Sequence, residues 1–336
     1  MLVADIDPAK PEASSLHSLD CTFTTEAHTK LAPLATTVTV IGLNRANRKA
    51  LLQQQKAASE KSWKEYQKLV TGAVVVVDDN EQIFQAQSKL VFDGLQVKIE
   101  AGYQDDFGLI ANAQTLPDGI KHDETGPPTT TLRAQDGRYP WQNGFVSEEV
   151  APGVTYRDMD LVQALSQGYL EGDVGAEQIN AKVPELLARK DFAGYANGRV
   201  LSGNTRDQEK RMAETLGLKL FWDRGRRVYL DVDAVTQDEA VVLKYVGKKR
   251  IADQTPTPGG LLSWQEGSRG MMDARCLLNY RLTPGRPVFL RDANNKPIGE
   301  GTFRVEHVRH SGAVKAVTYY SDVLLRPTKI PTKVNV

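Results

Sequence analysis

Ala274-Arg275-Cys276-Leu277-Leu278-Asn279, running on into Tyr280-Arg281-Leu282-Thr283-Pro284-Gly285-Arg286-Pro287-Val288-Phe289-Leu290, is the stretch on which the reading of this chain turns. Pro284 restricts φ and Gly285 frees it, so the pair makes a sharp turn ahead of the apolar run Val288-Phe289-Leu290. Cys276, Leu277 and Leu278 offer a small thiol and two branched side chains, the volumes of a packed interior. Residues 282–290, 301–308 and 314–325 form strand-length patches separated by Asn294-Asn295 and Ser311-Gly312. Pro327 and Pro331 then end the ordered fold.

Upstream of this β region, residues 139–239 read as α+β. A strand at 145–150 precedes the Pro152-Gly153 turn, and Thr155 is a candidate N-cap for a helix running to about residue 170. Asn204-Thr205 opens a second helix over 206–216, closed by Gly217. Strands at 218–222 and 227–232 then face each other across Asp223-Arg224-Gly225-Arg226, a hairpin turn with glycine where a positive φ is wanted. Residues 20–138 are mainly β, with strands at 38–41, 73–77, 90–92 and 95–101. Asp118-Gly119 and Thr125-Gly126-Pro127-Pro128 read as turns. Residues 46–70 lack Gly and Pro and are rich in Ala, Leu, Gln, Lys and Glu, which predicts an inserted helix. Its apolar positions include Leu51, Leu52, Trp63, Tyr66 and Leu69, the last three spaced for one face. Residues 1–19, with Pro8 and Pro11 and no period, form an arm. The expected fold class is therefore mainly β with an α+β insertion.

Composition narrows the function. The 336 residues carry 42 Lys+Arg and 42 Asp+Glu, with no surplus of cations to displace counterions from a nucleic-acid duplex. A near-neutral protein also lacks the self-repulsion that keeps monomers apart, which is compatible with assembly. Cys21 and Cys276, far apart in sequence, read as unlinked buried thiols of a reducing compartment. The first residues show neither a basic n-region nor an apolar h-region, and the longest apolar runs, such as 73–77, have strand length. Folding in a cytoplasm, away from any membrane, is the expectation.

The search for chemistry finds no phosphate loop, no Gly-x-Ser-x-Gly elbow and no His-Glu-x-x-His. Of the five histidines, His17, His28, His122, His307 and His310, only the last two are neighbours, and they read as ordinary surface or hairpin residues. Asp105-Asp106 reads as a solvated turn rather than an acid–base pair. Lys248-Lys249-Arg250 and Arg224 with Arg226-Arg227 read as charged hairpin tips. Trp63, Trp141, Trp222 and Trp264 are too scattered for a stacking platform and suit core or interface positions. No catalytic residue, metal site or cofactor is expected.

A resemblance enters at the C-terminal half. It is carried by Gly259-Gly260-Leu261-Leu262-Ser263-Trp264-Gln265-Glu266, by Ala274-Arg275-Cys276-Leu277-Leu278-Asn279 and by Arg281-Leu282-Thr283-Pro284-Gly285. Gly301-Thr302-Phe303-Arg304-Val305-Glu306-His307-Val308-Arg309-His310-Ser311-Gly312 and Tyr319-Tyr320-Ser321-Asp322-Val323 complete it. In this order the segments resemble the baseplate hub proteins of tailed bacteriophages, the group similar to the central hub of contractile tails. Gly42-Leu43-Asn44-Arg45, the run 97–103 and Gly198-Arg199-Val200-Leu201-Ser202-Gly203 agree in order, so the resemblance spans about 20–326. It departs at 45–95, which is longer than the family's pattern, and after Tyr103, where Ala111-Asn112 follows in place of a small-polar ending.

The resemblance implies two tail-tube-like β-barrel domains plus a smaller α+β domain, and a homotrimeric ring joining the tail tube to a spike or tip. The expected domains are an arm at 1–19, a β-barrel at 20–138 carrying the helix 46–70, an α+β domain at 139–239, a C-terminal β-barrel at 240–326 and a tail at 327–336. Tail tube, spike or tip, tape measure and other baseplate proteins are the implied partners, in a virion assembled in the host cytoplasm. Neither a membrane nor a sequence-specific nucleic acid is among them. Core and assembly positions are Cys276, Leu277, Leu278, Pro284 and Gly285, with Trp63 and Tyr66 on the inserted helix. Two alternatives stand beside the hub: a hub-associated cell-wall-degrading enzyme, for which no segment is left to hold a hydrolase, and a subunit of a related contractile injection system.

Overall fold

The structure is a computed structural model that describes residues 3–5, 20–29, 34–56, 95–103, 106–136, 145–150, 199–215, 218–231, 240–246, 260–313 and 318–328. These residues are mainly β. In chain order they are β1 (Val3–Asp5), β2 (Asp20–His28), β3 (Leu34–Ile41), helix α1 (45–56), β4 (Gln96–Tyr103), β5 (Asp106–Asp123) and β6 (Thr129–Asp136). There follow β7 (Phe145–Val150), β8 (Arg199–Asn204), α2 (Thr205–Thr215), β9 (Leu218–Asp223), β10 (Arg226–Asp231) and β11 (Val241–Lys244). The chain ends with β12 (Leu261–Glu266), β13 (Met272–Leu277), β14 (Pro287–Arg291), β15 (Pro297–Ala313) and β16 (Thr318–Pro327).

One continuous sheet of twelve strands runs β1-β4-β5-β6-β3-β2-β15-β16-β13-β12, with β14 on β15 and β11 on β14. Its C-terminal part closes on itself. β11 pairs in parallel with β14, and a bridge between Tyr245 and Leu261 joins β11 to β12. The ring β11-β14-β15-β16-β13-β12 therefore has no free edge along that seam, as a barrel requires. β7–β8 and β9–β10 are separate two-stranded ribbons.

The strands alternate because one face of each is buried. Cys21, Phe23, Val38, Val40, Val97, Ile99, Leu132 and Ala134 point into a first core, two residues apart on each strand. Leu243, Leu261, Met272, Ala274, Cys276, Val288, Leu290, Phe303, Val305, Val323 and Leu325 fill a second, inside the closed ring. β15 is seventeen residues long because it serves both: its first half pairs with β14, and its second half, from His307 to Ala313, pairs with β2.

Several expectations need correction. The patch 282–290 is a strand only from Pro287, because residues 279–286 are turned, with Leu282 N donating to Asn279 O and Arg286 N to Thr283 O. Asp118-Gly119 lies inside β5 rather than in a turn between strands. Pairing skips from Thr115 to Ile120 there, so residues 116–119 bulge opposite Arg133 alone. Ser311-Gly312 continues β15 instead of ending it. Residues 45–56 of the inserted helix are helical and capped by Asn44, whose Oδ1 accepts from Asn47 N at 2.8 Å. Gln55 Nε2 donates to the Leu116 carbonyl that the bulge frees. The helix at 155–170, the strands at 73–77 and 90–92, and both Trp63 and Tyr66 lie outside the described residues. The hairpin is as expected: Arg224 and Gly225 both have positive φ, the backbone of a tight two-residue turn.

Candidate functional site at the joint between the two cores

β13 carries the chain from one core to the other. Met272, Ala274 and Cys276 face the second core, and then Leu277 and Leu278 turn into the first. Beyond them the backbone folds back through Pro284 and Gly285. Gly285 has φ 82° and sits against Leu230 of β10, where an added Cβ would come within 2.9 Å of Leu230 Cδ2. Gly285 N donates to Val305 O and Val305 N to Arg286 O, which ties this return to β15.

A buried polar cluster holds the crossing. Tyr319 O accepts from Leu278 N at 3.0 Å and from the Tyr103 hydroxyl at 2.6 Å. Ser321 Oγ accepts from Asn279 N at 3.1 Å and lies 2.8 Å from His310 Nδ1. The hydroxyl can donate to Nδ1 or accept from it, according to the imidazole tautomer. Burial, with the Arg224 guanidinium adding to it, lowers His310 to about 4, while a bond to the Leu282 carbonyl works the other way. Burial likewise raises Tyr103 and Cys276 to about 12 and Cys21 to about 11. Both thiols are free, buried and protonated, and so unreactive.

Charged side chains brace the outside of the joint. Arg281 grips Asp106 with two bonds of 2.7 and 3.0 Å and lies 4.7 Å over the Tyr280 ring. The Tyr280 ring in turn rests on β5 at Gly108, where a Cβ would fall 2.4 Å from Tyr280 Cδ2. From the β9–β10 turn, Arg224 Nη1 donates to Leu109 O at 2.8 Å. Glu306 collects Thr29, Lys219 at 3.1 Å and Arg326 at 2.7 Å. Burial opposes its charge, but those three partners outweigh burial and hold the carboxyl below its usual range. The hairpin thus touches both parts of the sheet, at its tip through Arg224 and along β9 through Lys219.

Of the residues singled out in the sequence, Cys276, Leu277, Leu278, Pro284 and Gly285 meet at this joint, and all are buried. Two readings change. His310 is fully buried rather than a surface histidine, and Asp106 starts β5 and clasps Arg281 rather than standing in a solvated turn. The signal for His310 was its place two residues after Val308, on the same buried face. Tyr103 and Ser321 gave no signal of their own, since their partners lie 216 and 42 residues away. Among the described residues, no three His, Cys, Asp or Glu side chains gather to hold a metal ion, and no helix is long and apolar enough to cross a membrane.

No family model and no curated protein matches the chain. Among solved structures, the tail protein from Neisseria meningitidis MC58 aligns over 98% of this chain and 97% of its own, with a TM-score of 0.51 at 8% sequence identity. The chain shares its fold with that protein. A component of the type VI secretion system from E. coli, described as similar to T4 bacteriophage tail proteins, aligns over 93% of this chain and 74% of its own with a TM-score of 0.47 and 10% identity. The 43 kDa tail protein of prophage MuSo2 from Shewanella oneidensis covers 92% of this chain and 98% of its own with a TM-score of 0.41 and 9% identity.

Proposed function

We propose that this chain is a structural subunit of a bacteriophage tail. Three copies form the hub ring of the baseplate and connect the tail tube to the spike or tip, within a contractile-type virion. The observation that carries the reading is the likeness of fold to a tail protein over nearly the whole of both chains. The architecture suits the task. A connector must hold fixed geometry under load, and a single sheet passing through two cores, braced by a hairpin and a buried polar cluster, resists bending at its joint. Asp106, the carboxylate an enzymatic reading would lean on, is engaged by Arg281 as a strut.

The test is the mass and symmetry of the purified full chain, alone and with its neighbouring tail proteins, by mass photometry and electron microscopy. Threefold rings are the expected result. A chain that stays monomeric and joins no threefold ring overturns the hub reading.

A further inference from the structure

The twelve-stranded sheet ends differently on its two sides. On the C-terminal side the bridge between β11 and β12 closes it, whereas on the other side β4 is the last long strand and only β1 covers its edge. β4 has eight residues, and the three of β1 pair antiparallel with Lys98, Ile99 and Glu100 in its middle. Among the described residues no other strand meets that side of β4. Val97, Ile99 and Ala101 are buried in the first core, so the edge is held in place for a strand to add to it. β1 and β2 are consecutive in the chain, yet β4, β5, β6 and β3 all lie between them in the sheet. At about 4.8 Å between neighbouring strands, that separation is roughly 24 Å. Residues 6–19, which connect the two, reach about 50 Å at full extension.

We propose that β1 is an exchange arm: in the assembled ring, β1 of one copy adds to the β4 edge of the next, which makes this edge the junction between copies. The exchange presupposes the threefold ring proposed above. The backbone bonds are the same whether β1 returns to its own β4 or crosses to a neighbour's, and the connection is long enough for either, so exchange costs little. Pro8 and Pro11 restrict φ in that connection, which favours reach over doubling back. Donor and acceptor are different surfaces, β1 on one copy and β4 on the next, so the contact is heterologous. Repeated head to tail, such a contact closes into a ring, where a self-complementary patch would stop at a dimer. Between copies the short ladders also act together, because ring closure makes each junction intramolecular once the others have formed.

The experiment uses the full chain with Asp5→Cys and Lys98→Cys, a pair directly opposite in the register, treated with a short bismaleimide and read by denaturing gel and peptide mass. Cys21 and Cys276 are buried, so the chain without these substitutions is expected to stay unlinked. In the double variant, links from position 5 to position 98 are expected between chains, building up to the three-chain band. Co-expression of the Asp5→Cys chain with the Lys98→Cys chain is expected to give the same link, which in that mixture forms only between copies. Mass photometry of each sample before linking reads the ring independently. Threefold rings whose links all lie within single chains overturn the exchange and leave the ring standing, whereas monomers linked within the chain overturn both. Rings without any link between positions 5 and 98 also overturn the exchange, since β1 then does not lie on a β4 edge.

Discussion

The Ser321 hydroxyl sits between a backbone donor and a neutral imidazole, and that choice of protonation state has a measurable consequence. An unfolded His310 takes its proton near its model value of 6.5, whereas the folded one resists it down to about 4. The unfolded state therefore binds more protons between these values. Stability that is full above pH 6.5 falls as pH drops and is lost through pH 4, on the order of 3 kcal/mol in all. Thermal unfolding from pH 7 to 3.5 should show this slope, and His310→Leu should flatten it. Leu278, fully buried against the first core, makes a second test. Leu278→Ala should cost about 2–5 kcal/mol, and Leu278→Asp should abolish folding by burying an unpaired charge. Tyr103→Phe should cost only about 1 kcal/mol, because Leu278 N still satisfies Tyr319 O. Denaturant titration of the three variants checks the order.

At the level of elements, what was legible followed from period and turn chemistry. The β9–β10 hairpin showed itself through Arg224-Gly225, and α2 through the Asn204-Thr205 cap, because both signals are local. The bulge at 116–119 was not legible, since Asp118-Gly119 looks the same in a turn as in an interrupted strand and only Arg133 on β6 decides between them. The length of β15 was hidden for the same reason. Ser311-Gly312 weakens a strand on paper, yet β2 and β16 flank it on both sides and supply the pairing. Pro284-Gly285 marked the turn, but the long-range partners of that turn, Leu230 and Val305, left no trace in its own sequence. The hairpin is held to the sheet partly through Glu306, so Glu306→Gln should weaken the Lys219 and Arg326 bonds. Amide exchange over 218–231 should quicken while the interior of β13 stays protected. Equal acceleration in both would show that Glu306 does not fix the hairpin.

For the whole molecule, the shared strand predicts cooperativity. Two cores built on separate sheets would melt separately, but here β15 cannot leave one without disturbing the other. The chain should therefore unfold in a single denaturant transition by both tryptophan fluorescence and circular dichroism; two resolved transitions would contradict the coupling. The bulge in β15 carries one last consequence. β16 pairs Leu325 with Val305 and Leu324 with His307, leaving Glu306 as an uncounted residue between them. Upstream of it, residues 303 and 305 face inward; downstream, 308 and 310 do. Glu306 thus works like an inserted beat that changes the phase of the strand. Losing that one codon would restore plain alternation, with residues 303, 305, 308 and 310 all still facing inward, at the cost of the bulge and of the carboxylate that holds Thr29, Lys219 and Arg326. A survey of single-codon deletions across β15 should therefore find Glu306 better tolerated than Val308, whose loss takes an inward residue out of the core.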